Sequence, residues 1–475
     1  MKKSIEGPIF KILFFAVLLL IIIKFFGFLR AKIGFLGIIN SPYLWISFFI
    51  SLACYLFVYL CSIYIAKKTS YFSAVFIFIS ILFFLFLLFM LNFISLNFSP
   101  SYIFMAAFFA QAVLVIYLFF IFKKGSEFLR FRFESIDLLI ILWFLLTFAF
   151  YLNYNFNEHR VLLVDEGSFW FPQATALVHG LSSETLPKYA ITTHSLGIPF
   201  ICALPNIVFG TQVISSIFFM PIIVILTIVL FLYSIKNAKW LFLFFFFAII
   251  MTLNRHNWLR ELYFGSIYGD AITATFFLVA IFEVVNVFER KELELKRIIF
   301  LSFCLGLLAF TKPPISYCYF TLLPCLFFLP SLNFRKKMFL CIPFAIPFLI
   351  QKIFLFKLVG LTSGGQFFNF KNYLNFNFSN MNAMLEYLVK NYTSPLFFSI
   401  LSFLFIFLTF RKHDYIFLFP ILSIIIFVFW TYATVLSNSE FESSARYFSQ
   451  IMLSLYYLGA IGFQRFIGIL FKSQK

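Results

Sequence analysis

Apolar runs of about 18 residues or more recur along this chain, and each is long enough to cross a bilayer as a helix. Backbone in the hydrocarbon layer meets no water, so helices, which satisfy their own N–H and C=O groups, are favoured there. The 475 residues are 63% hydrophobic and only 11% charged, which excludes a soluble globular fold. We therefore expect an all-α polytopic membrane protein.

These runs predict about 14 transmembrane helices. The predicted spans are 12–29, 42–65, 71–91, 101–122, 137–153, 213–234, 240–253, 267–288, 298–310, 315–330, 338–356, 395–410, 415–436 and 447–464. Spans 240–253 and 298–310 are short, and we expect them to stop inside the membrane beneath an external cavity. Segment 194–211 is apolar but contains Pro199 and Pro205, so we predict a re-entrant or interfacial helix on the external side.

The basic residues lie between the spans. A net charge of +18 would otherwise point to nucleic acid, but the charges form no single patch. Alternate connections collect most of the 36 Lys and Arg residues, for example Lys67–Lys68 and Arg335–Lys336–Lys337. Because short cytoplasmic connections are enriched in Lys and Arg, we expect both termini in the cytoplasm. The connection after span 137–153 would then be external, on the periplasmic or lumenal side.

That connection carries the adjacent acids Asp165 and Glu166. They follow the apolar run 137–151 and precede an amphipathic segment that ends at Gly180. Ionisable residues beside a membrane cost free energy, so a carboxylate pair there is a candidate functional site. A solvated loop is the alternative interpretation.

Other charged residues are predicted on the same face. The acids are Asp165, Glu166, Glu261 and Asp270, and the bases are Arg255, Arg260, Lys312 and Arg446. Fixed cations beside carboxylates suit an anionic ligand and a proton-transfer step. Taken singly, each cation could instead snorkel to the interface, and Asp270 could face the positive end of its own helix.

Histidine and cysteine give weaker signals. Four histidines fall on the external side, namely His159, His179, His194 and His256, without a spacing typical of metal ligands. We therefore expect no metal, although a divalent ion remains the alternative. The seven cysteines lie in apolar runs without a Cys-x-x-Cys pair and are interpreted as small core residues.

Five short motifs follow one another in an order found in a known family. They are Asp165-Glu-Gly-Ser-Phe-Trp to Gly180, Thr193-His-Ser-Leu-Gly-Ile-Pro to Phe209-Gly210, Tyr268-Gly-Asp270, Gly306-Leu-Leu-Ala-Phe-Thr-Lys-Pro-Pro314, and Arg446-Tyr447. In this order the chain resembles the GT-C membrane glycosyltransferases. It resembles in particular the bacterial relatives of protein O-mannosyltransferases and lipid A aminoarabinose transferases. Pro313 stands where the family usually has glycine.

The resemblance implies a transferase of a bacterial inner membrane, with a periplasmic active site, that uses a polyprenyl-phosphate sugar and inverts the anomeric carbon. Asp165 would be the general base, with Glu166 beside it. The donor phosphate would be held by Lys312 and Arg446, with Arg255 or Arg260. Substrates would be positioned by Asp270, Glu261, His194 and Tyr447. The acceptor would be a hydroxyl of a glycan, lipid or protein, and no metal would be needed.

The resemblance covers about 137–464 and divides the chain. Residues 1–132 are predicted as an N-terminal four-helix membrane extension, and 133–475 as a GT-C-like domain with external loops 154–212 and 357–394. Two alternatives stay open. A lipid-linked glycan polymerase or ligase would rely on external arginines, and a transporter or flippase would place charges at mid-membrane with repeat symmetry.

Overall fold

The structure is a computed structural model, and it describes part of the chain. The described ranges are 72–96, 135–155, 197–209, 219–254, 269–289, 294–308, 332–359, 378–410 and 441–472, with single residues and short pieces at 55–66, 173–177, 259–264, 319–327 and 420–421. All statements below concern these residues.

Every regular element in the described ranges is helical. In chain order the helices are α1 Ala74–Leu91, α2 Ser135–Asn155, α3 Gly197–Phe209, α4 Phe219–Ile235, α5 Lys239–Ile249, α6 Gly269–Glu289, α7 Leu295–Leu308, α8 Phe334–Phe339, α9 Cys341–Val359, α10 Phe378–Asn391, α11 Thr393–Leu408 and α12 Phe441–Lys472. Two π-helical turns, Asn92–Leu96 and Ile250–Asn254, continue α1 and α5. The predicted all-α class is thus confirmed over the described residues.

Four described helical stretches are long and apolar enough to cross a membrane. They are Ala74–Ile94, Ala271–Glu289, Phe334–Phe354 and Phe448–Leu470. Shorter apolar helices lie at Ile136–Tyr151, Pro221–Ile235, Lys239–Leu253 and Thr393–Leu408. The total of fourteen spans stays a prediction, because 12–29 and 101–122 lie outside the described residues, as do most of 42–65, 315–330 and 415–436.

Segment 194–211 contains the predicted helix. It is α3, whose 13 residues would extend about 20 Å, less than a full crossing. The described side chains of α3 are buried, and the Phe200 ring contacts the rings of Phe86 and Phe89 at 5.0 and 5.3 Å. Helix α3 therefore packs against the C-terminal half of α1.

Helix α1 packs against several other described helices. It begins at Ser73, whose hydroxyl accepts a hydrogen bond from the Phe76 amide at 3.2 Å and so caps the first turn. Its aromatic rings contact α6 and α9 as well as α3, since Phe83 meets Phe276 and Phe89 meets Phe354. Edge-to-face contacts of this kind add directional attraction to simple burial. The boundary predicted at residue 132 stays a prediction.

Three interactions join helix ends that alternating topology assigns to one side. The Lys236 ammonium after α4 lies 2.7 Å from the Asp137 carboxylate near the start of α2. The Ser73 amide before α1 donates to Glu283 Oε1 of α6 at 2.8 Å. The Arg297 guanidinium of α7 lies 5.1 Å from the centre of the Phe72 ring. These contacts agree with the alternation of helix directions, while the side of the membrane remains a prediction.

A fourth interaction joins two ends assigned to the opposite side. The Lys357 ammonium, in the last turn of α9, donates to the carbonyls of Phe93 and Ile94 at 3.0 and 2.8 Å. Those carbonyls belong to the π-helical turn that ends α1. A lysine beside a helix C-terminus satisfies carbonyls that have no partner within the helix. The ends of α1 and α9 therefore lie together.

Candidate functional site

Three of the predicted site residues lie on described helices. Asp270 is the second residue of α6, and Arg446 and Tyr447 stand in the second turn of α12. Their backbone positions are described, and their side chains are not. The remaining candidates lie outside the described residues: Asp165, Glu166, His194, Arg255, Arg260, Glu261 and Lys312.

Helices α6 and α12 pack side by side. The rings of Phe282 and Tyr457 lie 5.7 Å apart, and Phe231 of α4 contacts both, at 5.3 and 5.4 Å. These three rings join α4, α6 and α12 into one aromatic cluster. They also fix the position of α6 along α12.

The two helices run in the same direction. Tyr263, six residues before the start of α6, donates from its hydroxyl to the Ser449 carbonyl of α12 at 2.5 Å. The residue that comes earlier in sequence, Tyr263, contacts the earlier part of α12, and Phe282 contacts the later residue Tyr457. Asp270 lies about 18 Å before Phe282, and Arg446 about 16 Å before Tyr457, at 1.5 Å per helical residue. Asp270 and Arg446 therefore stand at similar heights at the same end of a parallel helix pair.

The segment 254–265 ends beside α12. Leu259, Tyr263 and Phe264 are helical and buried, and the Phe264 ring lies 5.8 Å from the Trp143 ring of α2. Tyr263 reaches α12 one turn after Arg446 through its bond to Ser449. Residues before α6 thus contact α12 near the start of that helix and α2 at Trp143.

A row of polar side chains continues from Arg446 along α12. Gln450 and Ser454 are fully buried, and they follow Arg446 at intervals of four residues. Residues four apart lie on the same face of a helix, so amide and hydroxyl groups extend the polar character of that face into the bundle. Sequence reasoning missed these residues, although the i, i+4, i+8 spacing could have revealed them.

Helix α7 leads directly into the segment that contains Lys312. It packs closely on α9, because Ser302 Oγ donates to the Leu340 carbonyl at 2.6 Å and Gly306 lies against the Phe344 carbonyl. In both contacts the partner residue comes the same number of positions later in the sequence. Helices α7 and α9 therefore run in the same direction. A lysine that sequence reasoning did not single out, Lys352, lies on α9 inside the predicted span 338–356. Its position within a predicted span is the signal that could have identified it, because charged residues are rare there.

No group of three or more His, Cys, Asp or Glu that could hold a metal ion occurs among the described residues. The four histidines of the predicted external face lie outside them. Metal dependence is therefore a matter for experiment.

Comparisons of this chain with protein-family models, with curated proteins and with solved structures found no match. The likeness to GT-C enzymes accordingly rests on the order of the five motifs and on the chemistry of their residues.

Proposed function

We propose that this chain is an integral membrane glycosyltransferase. It moves a sugar from a polyprenyl-phosphate donor to an acceptor hydroxyl on the external face of the membrane. The observation that best supports the proposal is the parallel packing of α6 and α12, with Asp270 and Arg446 at the same end. Asp270 and Arg446 are 176 residues apart in sequence, and this packing sets their backbones at a similar level along the helix pair.

The proposed reaction is a single displacement. Asp165 accepts the proton of the acceptor hydroxyl, and the oxygen attacks the anomeric carbon as the bond from that carbon to the phosphate oxygen breaks. The polyprenyl phosphate leaves with the electron pair and a full negative charge. Lys312 and Arg446, with Arg255 or Arg260, stabilise that charge through charge-assisted hydrogen bonds.

Four further residues are assigned to positioning the substrates. They are Asp270, Glu261, His194 and Tyr447. Carboxylates and neutral imidazoles accept hydrogen bonds from sugar hydroxyls, and the tyrosine can donate to a phosphate or a sugar. Glu166 lies next to the base in sequence and shares its connection.

The chemistry of the donor fits a membrane-embedded enzyme. An isoprenoid chain is insoluble in water, so the enzyme must meet its donor in the bilayer. The phosphate stays at the boundary between lipid and water, where fixed cations bind it strongly because the local dielectric constant is low. Nucleotide-activated sugars remain in the cytoplasm, so an external transferase needs a lipid-carried donor.

A transporter or flippase is the non-enzymatic alternative. The fully buried Glu283 would be its strongest support, since buried charges often mark a transport pathway. Its carboxylate, however, accepts a hydrogen bond from the Ser73 amide and so joins α6 to the start of α1. That position is typical of a helix-capping carboxylate. This contact accounts for the buried Glu283 without a transport pathway.

The proposal is tested with a strain that lacks the protein, by mass spectrometry of envelope glycans and lipid-phosphate sugars. We expect one polyprenyl-phosphate sugar to accumulate and one glycan to lose the same sugar. Wild-type protein restores both, whereas Asp165→Asn lowers transfer at least about 100-fold, the typical contribution of a general base. Lys312→Ala and Arg446→Ala are expected chiefly to weaken use of the donor, measured in membranes as a lower kcat/KM for the donor.

The matched control is Glu158→Gln, which removes another carboxylate from the same connection and should restore transfer fully. Each variant is quantified in the membrane fraction, so that loss of transfer is separated from loss of protein. If Asp165→Asn rescues fully, the assigned base is wrong. If neither lipid nor glycan pools change in the deletion strain, the transferase proposal fails.

A further inference from the structure

The connection between α5 and α6 turns back into the helix bundle. Helix α5 continues into the π-helical turn Ile250–Asn254, and α6 begins at Gly269. Between them, Leu259, Tyr263 and Phe264 are helical and at most 1% exposed. A connection that runs over the surface would leave such side chains accessible, so this one re-enters the protein.

The depth of Phe264 follows from its contact with α2. Its ring lies 5.8 Å from the ring of Trp143. Trp143 comes six residues, about 9 Å, after Asp137, whose carboxylate pairs with Lys236 just after α4. Phe231 precedes Lys236 by five residues, about 8 Å along α4. Trp143 and Phe231 therefore lie at similar distances from the same ion pair, one on α2 and the other on α4.

Phe264 consequently lies deeper in the bundle than Asp270. The Phe231 ring contacts the Phe282 ring of α6 at 5.3 Å, so Phe282 is close to the level of Trp143. Asp270 comes twelve residues, about 18 Å, before Phe282 on the same helix. The Phe264 ring, in contact with Trp143, is therefore on the order of 10 Å below Asp270, toward the predicted cytoplasmic side.

Both ends of this connection are attached to α12. At its beginning, the Thr252 side chain in the π-helical turn lies within hydrogen-bonding distance of the Tyr456 hydroxyl. At its end, the Tyr263 hydroxyl donates to the Ser449 carbonyl at 2.5 Å. Arg446 precedes Ser449 by three residues, so the second attachment is less than one and a half turns below it. Short π-helical segments of this kind are frequent at functional sites.

We infer that Tyr263 and Phe264 form the floor of the candidate site, below Asp270 and Arg446. The inference rests on the proposed function and adds Tyr263 as a positioning residue, which holds the connection in place without touching a substrate. Placing a charge against the Phe264 ring would be costly, because the ring offers no hydrogen bond. The floor therefore keeps the charged parts of a substrate at the level of Asp270 and Arg446.

The floor also restricts two charged residues of the connection. Arg260 and Glu261 directly follow the buried Leu259 in sequence, and both are within three residues of Tyr263. The chain reaches about 3.6 Å per residue at most, so an anchored neighbour limits where these residues stand. The hydrogen bond of Tyr263 to α12 thereby sets the height of Arg260 and Glu261 relative to Arg446.

The first test measures transfer in membranes with Tyr263→Phe, which removes the hydroxyl and keeps the ring. The Ser449 carbonyl keeps its hydrogen bond within α12, so that helix is not weakened. We expect kcat/KM for the donor to fall about tenfold or more, because a small displacement of charged groups has a large effect on rate. The matched control is Tyr55→Phe, which removes another buried hydroxyl, one that donates to the Ile201 carbonyl of α3. It should retain full transfer.

A positioning role predicts that the effect depends on the charged residues of the connection. In the background Arg260→Ala/Glu261→Gln, Tyr263→Phe should lower kcat/KM for the donor by less than about twofold, since the groups that it positions are gone. Each variant is quantified in the membrane fraction. Equal losses in the two backgrounds would show that Tyr263 acts on stability alone, and its positioning role would be wrong.

The second test examines the floor without relying on transfer. In a chain whose seven cysteines are replaced by alanine, Trp143→Cys is combined with Phe264→Cys and the protein is treated with a short bis-maleimide. We expect an intramolecular link, identified by mass spectrometry, because the two rings are 5.8 Å apart. The control combines Leu142→Cys with Phe264→Cys. Leu142 is 48% exposed, on the outside of the bundle, and should give little linked product.

The outcomes separate the floor from the proposed function. Absence of the link at Trp143, or equal linking at Leu142, would overturn the floor and leave the proposed function intact. Full transfer by Tyr263→Phe would overturn its positioning role alone. A wild-type protein that transfers no sugar would remove the proposed function and the positioning role with it, even where the link forms as expected.

Discussion

At the scale of single residues, the ion pair between Asp137 and Lys236 is the best-defined charged contact of the described bundle. The oxygen and nitrogen lie 2.7 Å apart, and the side chains are only 12% and 11% exposed. The ammonium also lies 4.4 Å from the centre of the Tyr233 ring. Burying two charges is costly unless they are paired, so the value of this contact lies in holding the ends of α2 and α4 together.

Removing one partner of this pair should destabilise the protein. Lys236→Met leaves the Asp137 carboxylate buried without the ammonium, at an expected cost of about 3 kcal/mol. The double variant Asp137→Leu/Lys236→Met should recover much of that loss, because no charge is left behind. Thermal unfolding of purified protein in detergent checks both. Lys239→Met, at an exposed lysine three residues on, is the control, and an equal loss there would refute a specific ion pair.

At the scale of helices, glycines set how closely α11 and α12 approach. An added Cβ at Gly459 would lie 2.6 Å from the Ser402 Cα, and one at Gly462 would lie 2.7 Å from the Phe405 carbonyl carbon. Real Cβ atoms do not come so close, so one helix would have to move. Membrane helices commonly associate through small residues, since lipid offers no hydrophobic driving force between them.

Alanine at these glycines should therefore weaken the helix pair. We expect Gly459→Ala and Gly462→Ala each to lower the free energy of unfolding by about 2 kcal/mol through overpacking. Gly468 lies on the same helix with nothing within 4 Å of an added Cβ. Gly468→Ala should be neutral or stabilise by up to about 1 kcal/mol, because alanine favours the helix. Melting temperatures in detergent give the comparison, and similar losses at all three glycines would contradict close packing as the cause.

At the scale of the whole molecule, the positions of helices along the chain were easier to predict than which helices pack against each other. Apolar length alone located α1 and α6 to within a few residues of the predicted spans 71–91 and 267–288. Partner choice was out of reach, because 81 phenylalanines give every span similar rings. The residues around Phe86 and Phe200 in the sequence do not indicate that these two rings are in contact. The helix α10 inside the predicted loop 357–394 was also missed.

Candidate site residues could be named from the sequence, and their roles stay predictions. Charged residues are rare in this chain, so Asp270 and Arg446 were conspicuous, and the structure sets both at one end of α6 and α12. Buried uncharged groups such as Gln450 carry no such signal, since apolar and polar residues mix within one helical turn. The acidic pair Asp165–Glu166 lies outside the described residues, and its role stays a prediction.

The orientation of the whole bundle determines whether the proposed chemistry is possible. Lys336, on α8, belongs to a basic cluster predicted to be cytoplasmic, whereas Lys390, on α10, belongs to the predicted external loop 357–394. Both side chains are exposed. In a chain with its seven native cysteines replaced by alanine, we expect Lys390→Cys to react with a membrane-impermeant maleimide applied to spheroplasts. Lys336→Cys should react only after the membrane is permeabilised.

The reverse labelling pattern would show that the protein has the opposite orientation in the membrane. Asp165 would then face the cytoplasm, where nucleotide-activated sugars are present and a lipid-carried donor is unnecessary. The same alternation that unites the ends of α1, α6 and α7 would still hold, because it depends on contacts within the bundle such as Ser73 with Glu283. Labelling therefore tests the external placement of the proposed transferase, and the expected pattern would be consistent with a lipid-carried donor.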